Sequence, residues 1–136
     1  MPANDKYQKT VTNALIKDGW QIADEQIALP IEGRNLWIDI EAVKTSSEKI
    51  ILIEVKGFEN IASPINYFQQ VVGQLIMYRT AIKYWNLDSH ILYLAIPDYA
   101  YNSFFQETIV KLIITELELK LLIFNPEKEE ITVWVN

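Results

Sequence analysis

Two uninterrupted apolar segments limit the folds open to this chain more than any other feature. Residues 50–56 read IILIEVK and residues 91–96 read ILYLAI, and both runs are rich in branched aliphatic side chains. Such runs are typical of strands that are covered on both faces, as in a sheet with helices on either side. The sequence therefore predicts two buried central strands.

The rest of the chain divides into amphipathic helices and shorter strands around these two. Helices are predicted over 5–17, 63–85 and 99–117, and further strands over 20–29, 36–43, 121–124 and 131–135. Gly19 ends the first helix, and Ser63 and Pro64 begin the second as N-cap and first residue. Turns are predicted at 30–35 and 45–48. The predicted order is α-β-β-β-α-β-α-β-β, in a single α/β domain over residues 1–136 with a mixed sheet flanked by helices.

Composition excludes several classes of protein. The 136 residues are 50% apolar, which is enough for the core of one domain. With no cysteine there is neither a disulfide framework nor a thiol nucleophile, and the single histidine, His90, argues against a histidine-rich metal site or a catalytic triad. We interpret His90 as a structural residue at a strand start. No signal peptide or apolar run of ~20 residues is present, so a cytoplasmic protein without a membrane partner is expected.

The charge balance is acidic. Twelve basic and 18 acidic residues leave a net charge of −6. Proteins that coat nucleic acids are usually basic, because their lysines and arginines neutralise phosphates. Composition therefore argues mildly against DNA binding by the whole surface, although a local contact with DNA stays open.

One group of polar residues interrupts the apolar pattern. Asp39 lies inside the strand LWIDIEA, and Glu54 and Lys56 end the buried run. Residues two apart on a strand share a face, and a hairpin between the two strands brings Asp39 beside Glu54. A divalent cation such as Mg²⁺ relieves the repulsion of two such carboxylates. Lys56 could then stabilise a phosphate oxygen. The sequence therefore allows a metal-dependent phosphodiester site here.

An alternative interpretation stays open, in which Glu54 and Lys56 are a solvated charged pair at a strand end. The triplet Glu-x-Lys is not informative by itself, since roughly one is expected by chance in a chain of this composition. A second copy, Glu118-Leu119-Lys120, is in fact present. Only the copy at Glu54 ends a buried strand close to another carboxylate.

The predicted helix from Ser63 adds a polar edge. Gln70, Gln74 and Tyr78 follow one another at intervals of four residues and so lie on one side of the helix. An amide and a phenol can bind phosphate, but a boundary between core and solvent is the commoner reason for such an edge. Gly73 lowers helix stability, and we expect a close backbone approach there.

These residues carry a resemblance to known families. Asp39, Glu54-Val55-Lys56 and Gln74-x-x-x-Tyr78, in this order of elements, resemble the PD-(D/E)xK nuclease superfamily and its RecB-like branch. Almost the whole chain is also similar to the XisH family of cyanobacterial proteins, controlling factors for excision of the fdxN element. That likeness is carried by Asp5, the segments 13–20 and 53–56, Gly73-Gln74, Tyr78-Arg79 and the segment 124–128.

The superfamily resemblance implies a restriction-endonuclease-like fold and roles for individual residues. It implies that Asp39, Glu54 and the Val55 carbonyl hold Mg²⁺ or Mn²⁺. It further implies that Lys56 is the catalytic lysine and that Gln74 and Tyr78 are accessory residues of the catalytic site. Ile38 stands where many members have proline before the aspartate. Asp5 is the nearest candidate for the acidic residue of the first helix, or else a helix cap.

The XisH resemblance implies an accessory role beside a site-specific recombinase in heterocyst development, with a XisI-like protein as partner. Two hypotheses follow. In the first, the protein is a metal-dependent deoxyribonuclease. In the second, it is a non-catalytic control factor that binds a XisI-like protein, the recombinase or DNA, as a monomer or a homodimer.

Overall fold

Six strands form one mixed sheet whose spatial order follows the order of the chain. The structure, a computed structural model, describes residues 6–136. The strands are β1 (Gln21–Ile31), β2 (Arg34–Lys44), β3 (Lys49–Val55), β4 (His90–Pro97), β5 (Leu121–Asn125) and β6 (Glu130–Val135). The three central strands β3, β4 and β5 are parallel, and the outer pairings are antiparallel. The predicted mixed α/β sheet is confirmed.

Helices flank this sheet. They are α1 (Gln8–Lys17), α2 (Pro64–Tyr84), α3 (Asp98–Tyr101), a 3₁₀ turn (Phe104–Gln106) and α4 (Thr108–Glu116). α1 ends as predicted, since Gly19 has φ +90°. The Ser63 hydroxyl accepts a hydrogen bond from the Asn66 N–H at the start of α2. None of the helices between residues 6 and 136 is long and apolar enough to cross a bilayer. Asp5 lies outside the described residues.

The core is divided between the two faces of the sheet. On one face α2 and α4 pack on residues that include Leu52, and on the other α1 packs on Ile51 and Ile53. β3 is therefore covered on both sides, as its unbroken apolar sequence predicts. The same alternation places Glu54 on the face that α2 covers.

The predicted third helix over 99–117 is wrong in its middle. The backbone leaves the helical conformation at Ser103 (φ −121°, ψ −91°) and again at Glu107 (φ −66°, ψ 142°). Between them Phe105 is buried with its ring edge-on to Phe58. The half-buried Phe104 also contacts the Phe58 ring, so the segment between the two helices places both phenylalanines against Phe58.

The predicted alternation along β2 is also wrong. The spacing of Leu36, Ile38, Ile40 and Ala42 in the sequence predicts that all four share one face of the strand. In the structure the first two pack in the cluster under α2 and the last two in the cluster under α1. The pairing of β2 with β3 ends at Ile40, so the regular pleat is interrupted at Asp39. The side chains before and after Asp39 therefore face opposite sides.

The β1–β2 hairpin is longer than expected, and both edge strands are irregular. Instead of a turn over 30–35, only Glu32 and Gly33 connect the strands, and both have positive φ (40° and 88°). Ala23 in β1 and Thr132 in β6 have no counterpart in the register, because their neighbours pair with consecutive residues of the next strand. Each edge strand thus contains a β-bulge.

Candidate active site

Asp39 and Glu54 meet where β2 separates from β3. The Oδ2 atom of Asp39 accepts a hydrogen bond of 2.7 Å from the Val55 N–H. This bond takes the place of the next backbone hydrogen bond between β2 and β3. Because the acceptor is charged, this bond is stronger than an ordinary backbone–backbone hydrogen bond. The carboxylate of Asp39 is therefore fixed beside the end of β3, which carries Glu54.

Glu54 is a buried carboxylate with an incomplete set of partners. Its relative exposure is 4%, and its Oε1 atom has no hydrogen-bond partner among the described residues. Burial, together with the negative charge of Asp39, raises the pKa of Glu54 from 4.5 to about 8. The site thus favours the protonated form of this carboxyl group more than water does.

Lys56 lies close to the carboxyl group of Glu54. Its Nζ atom lies 3.4 Å from Glu54 Oε2, and its side chain is 19% exposed. The Lys56 N–H donates to the Ala95 carbonyl of β4, so the backbone at this residue is still held by the sheet. The lysine thus places a positive charge beside the carboxylates of Asp39 and Glu54, at the partly exposed edge of the site.

Tyr78 and Gln74 lie on the α2 side of the site and are bonded to each other. Gln74 Nε2 donates to the Tyr78 hydroxyl at 2.6 Å, and this hydroxyl donates to the Trp37 carbonyl at 2.6 Å. Burial and the nearby Glu54 carboxylate raise the pKa of Tyr78, so the phenol keeps its proton. Tyr78 therefore connects α2 to the part of β2 that precedes Asp39.

Two other residues that the sequence singles out on this helix are exposed. Gln70, the first residue of the predicted polar edge, is one of them. A Cβ atom added at Gly73 would meet nothing within 4 Å, so the expected close backbone approach is wrong.

Sequence reasoning missed two glutamines that contact Asp39. Gln26 Nε2 lies 3.3 Å from Asp39 Oδ1, and Gln8 Nε2 donates to the Asp39 carbonyl at 3.3 Å. The two amides also bond to each other, and both are almost fully buried. No local pattern marks them, because one begins a helix and the other lies inside a predicted strand.

The donor atoms of the pocket fit a hard divalent cation. Two carboxylates and the Val55 carbonyl supply oxygen, the element that Mg²⁺ and Mn²⁺ prefer. Strand geometry directs the Val55 carbonyl to the same side as its N–H, which faces Asp39. In residues 6–136 no group of three acidic, histidine or cysteine side chains is placed to share an ion. A cation here would therefore depend on these two carboxylates.

The other sequence candidates lie elsewhere. His90 is the first residue of β4, and its Nε2 atom lies 3.4 Å from Glu41 Oε2. Glu118 follows the end of α4 with φ +51°, and its carbonyl accepts a hydrogen bond from Arg79. Lys120 immediately precedes β5.

Comparison with known proteins identifies the family. The family model described as XisH protein matches residues 1–132. The chain belongs to the XisH family. A crystal structure of an XisH family protein from Nostoc punctiforme PCC 73102 is 37% identical, with a TM-score of 0.89 over 97% of this chain and 100% of that chain. Among curated proteins, none has a significant match.

A second solved structure has a similar likeness. The crystal structure of an fdxN element excision controlling factor protein from Anabaena variabilis is 38% identical to this chain, with a TM-score of 0.90. The alignment covers 98% of this chain and 100% of that one. The XisH fold described above is thus shared almost from end to end with two cyanobacterial proteins.

Proposed function

We propose that this XisH-family protein acts in the excision of a DNA element and that its pocket is a metal-dependent DNA phosphodiesterase site. The first part is supported by the relative from Anabaena variabilis, which is named for control of fdxN element excision. The second part is supported by the contacts of Glu54, Asp39 and Lys56. We further propose that the domain belongs to the PD-(D/E)xK superfamily.

The single observation that carries the phosphodiesterase proposal is the state of Glu54. A glutamate that is 4% exposed, has one oxygen without a partner among the described residues and lies near a second carboxylate is unfavourable in a purely structural role. Perturbed carboxylates of this kind are common at functional sites. A cation would satisfy the free Oε1 atom and offset the repulsion from Asp39.

Asp39, Glu54 and the Val55 carbonyl would hold this cation. A bound Mg²⁺ or Mn²⁺ supplies positive charge that polarises a phosphoryl group. Lys56 is near enough to Glu54 to place a second positive charge against a non-bridging phosphate oxygen. Tyr78 and Gln74 keep the end of β2 in position through the Trp37 carbonyl.

A cleavage assay tests the proposal directly. Purified protein is incubated with supercoiled plasmid, linear duplex and single-stranded DNA, with Mg²⁺, with Mn²⁺ and with a chelator. We expect metal-dependent cleavage of at least one substrate. Lys56→Ala should abolish it while the far-ultraviolet circular dichroism stays that of wild type, since a lysine at a pocket mouth contributes little to folding.

The second Glu-x-Lys triplet offers a matched control. Lys120→Ala removes the same side chain from the same local motif, but outside the pocket. It should leave cleavage unchanged and alter stability by less than about 0.5 kcal/mol. Equal loss of activity in the two variants would contradict the assignment of Lys56.

A second candidate function is favoured by the charge of the chain. A protein with a net charge of −6 neutralises few phosphates, so tight binding to bare duplex is not expected. In this alternative the protein is a control factor that acts by binding a XisI-like protein, the recombinase or DNA, with or without forming a homodimer.

An excision assay in cells separates the two candidates. If Lys56→Ala supports excision as wild type does and purified wild type cleaves no DNA, the control-factor function is favoured. Co-purification with a XisI-like protein would then identify the partner. Submicromolar binding of the isolated monomer to random duplex at physiological salt would contradict the expectation that this acidic chain binds bare duplex weakly.

A further inference from the structure

Asp39 is held by a buried amide network that joins three elements. Gln26 of β1 contacts Asp39 Oδ1 at 3.3 Å, and its Nε2 also donates to Gln8 Oε1 at 3.0 Å. Gln8 of α1 in turn donates to the Asp39 carbonyl and to Glu25 Oε1. The relative exposures of Gln8 and Gln26 are 1% and 8%. Ordering two buried amides around one carboxylate is unfavourable unless their hydrogen bonds are made.

The backbone at Gln26 is unusual for a strand. Its φ is +55°, a left-handed conformation that residues other than glycine rarely adopt. Gln26 and Asp39 face each other across the hairpin, yet they form no pair in the register, whereas Glu25 pairs with Ile40 and Ile27 with Ile38. This local conformation turns the Gln26 amide inward to the carboxylate, and strain of this kind is common where a structure positions functional groups.

We propose that Gln26, supported by Gln8, is a positioning residue for the cation site. The amide of Gln26 orients the Asp39 carboxylate from Oδ1 while the Val55 N–H holds Oδ2, so that Asp39 is presented to a cation shared with Glu54. Partners that orient a metal-binding carboxylate typically change metal affinity by about ten- to a hundredfold when they are removed. This inference rests on the proposed function.

The test measures Mn²⁺ affinity of the full chain by calorimetric titration. Gln26→Gly removes the amide but accepts the left-handed backbone, so the fold is preserved. We expect its Mn²⁺ affinity to fall at least tenfold. Gln26→Asn keeps an amide and also tolerates this backbone, and its affinity should lie between those of wild type and Gln26→Gly.

Glu48→Gly is the matched control. Glu48 also has φ +55° but lies exposed in the turn between β2 and β3, away from the pocket. The same gain in backbone freedom there should leave Mn²⁺ affinity unchanged. If Gln26→Gly does not fold, Gln8→Met tests the proposal instead, because methionine keeps the side-chain volume of glutamine without the amide. A fall in the Mn²⁺ affinity of Gln8→Met supports the proposal, and an unchanged affinity contradicts it.

Three results would overturn the inference. Mn²⁺ affinity of folded Gln26→Gly within twofold of wild type would show that the amide does not position Asp39. An equal loss in Glu48→Gly would show that backbone freedom alone is responsible. Absence of Mn²⁺ binding by wild type would refute the proposed metal site and this inference together, a result distinct from the other two.

Discussion

Lys56 Nζ lies 3.4 Å from Glu54 Oε2, while the other oxygen of the same carboxylate is buried without a hydrogen-bond partner in residues 6–136. The positive charge of Lys56 lowers the pKa of Glu54, but burial and the charge of Asp39 outweigh it. The carboxylate is thus unfavourable in its ionised form until a further positive group arrives.

The stability of the apo protein should fall as pH rises from about 4.5 to 8. In this window folded Glu54 keeps its proton and the unfolded chain loses it, because the folded pKa of about 8 exceeds the ordinary 4.5. The free energy of unfolding should decrease by up to about 1.4 kcal/mol per pH unit. Glu54→Gln removes this dependence. Urea denaturation at several pH values measures how the free energy of unfolding changes with pH in wild type and in Glu54→Gln. The same pH dependence in both proteins would contradict the raised pKa of Glu54.

Divalent cations should stabilise the protein more at pH 8.5 than at pH 6.5. Binding to Glu54 must displace a proton at the lower pH, so the apparent affinity rises with pH. Thermal melts with Mg²⁺ or Mn²⁺ measure this, since metal at a hundred times Kd adds roughly 2.7 kcal/mol. Asp39→Asn should abolish the shift. If millimolar metal does not change the melting temperature of wild type, the pocket is a cluster of charged side chains and not a metal site.

Tyr78→Phe should destabilise the fold by about 1–3 kcal/mol, because it leaves the Trp37 carbonyl without its donor and the Gln74 amide without its acceptor. The control is Tyr84→Phe on the same helix, where the side chain is 54% exposed and no more than about 0.5 kcal/mol is expected. Chemical denaturation measures both. Equal effects would show that the phenol of Tyr78 does not hold β2.

Gly73→Ala should stabilise the protein by about 0.5–1 kcal/mol, because Gly73 lies exposed within α2 and the added methyl group meets no neighbour. Gly33→Ala should destabilise the protein instead, since Gly33 has φ +88° in the β1–β2 turn, a conformation that alanine adopts only with strain. Thermal denaturation of the two variants checks the pair. A destabilised Gly73→Ala would mean that the exposed face of α2 requires glycine for another reason.

The elements of the sheet could be predicted because each is recorded locally in the sequence. The apolar run at β3 and the Ser63–Pro64 start of α2 require no knowledge of distant contacts. The proximity of Asp39 to Glu54 follows from one hairpin turn. The break after α3 does not follow, because it depends on Phe58 and Phe68, which are distant in the chain from Phe105.

The polar surroundings of Asp39 could not be predicted for a related reason. Gln26 in the sequence is an ordinary polar residue within a strand, and nothing local indicates a positive φ. Its conformation depends on contacts with Gln8 and Asp39, which come from other elements. Residues that position a site through long-range hydrogen bonds thus have weaker local signals than the charged residues they hold.

The irregularities of β1 and β6 also determine how the sheet ends. Open edge strands are templates on which other chains can add strands and form aggregates. In β1 the extra residue Ala23, the left-handed Gln26 and the missing N–H of Pro30 disturb the row of donors and acceptors along the outer edge, and Thr132 disturbs it in β6. Both borders are therefore poor substrates for strand addition. We therefore expect growth of the sheet by strand addition to be disfavoured and contacts between side-chain surfaces to be the favoured way for copies to assemble.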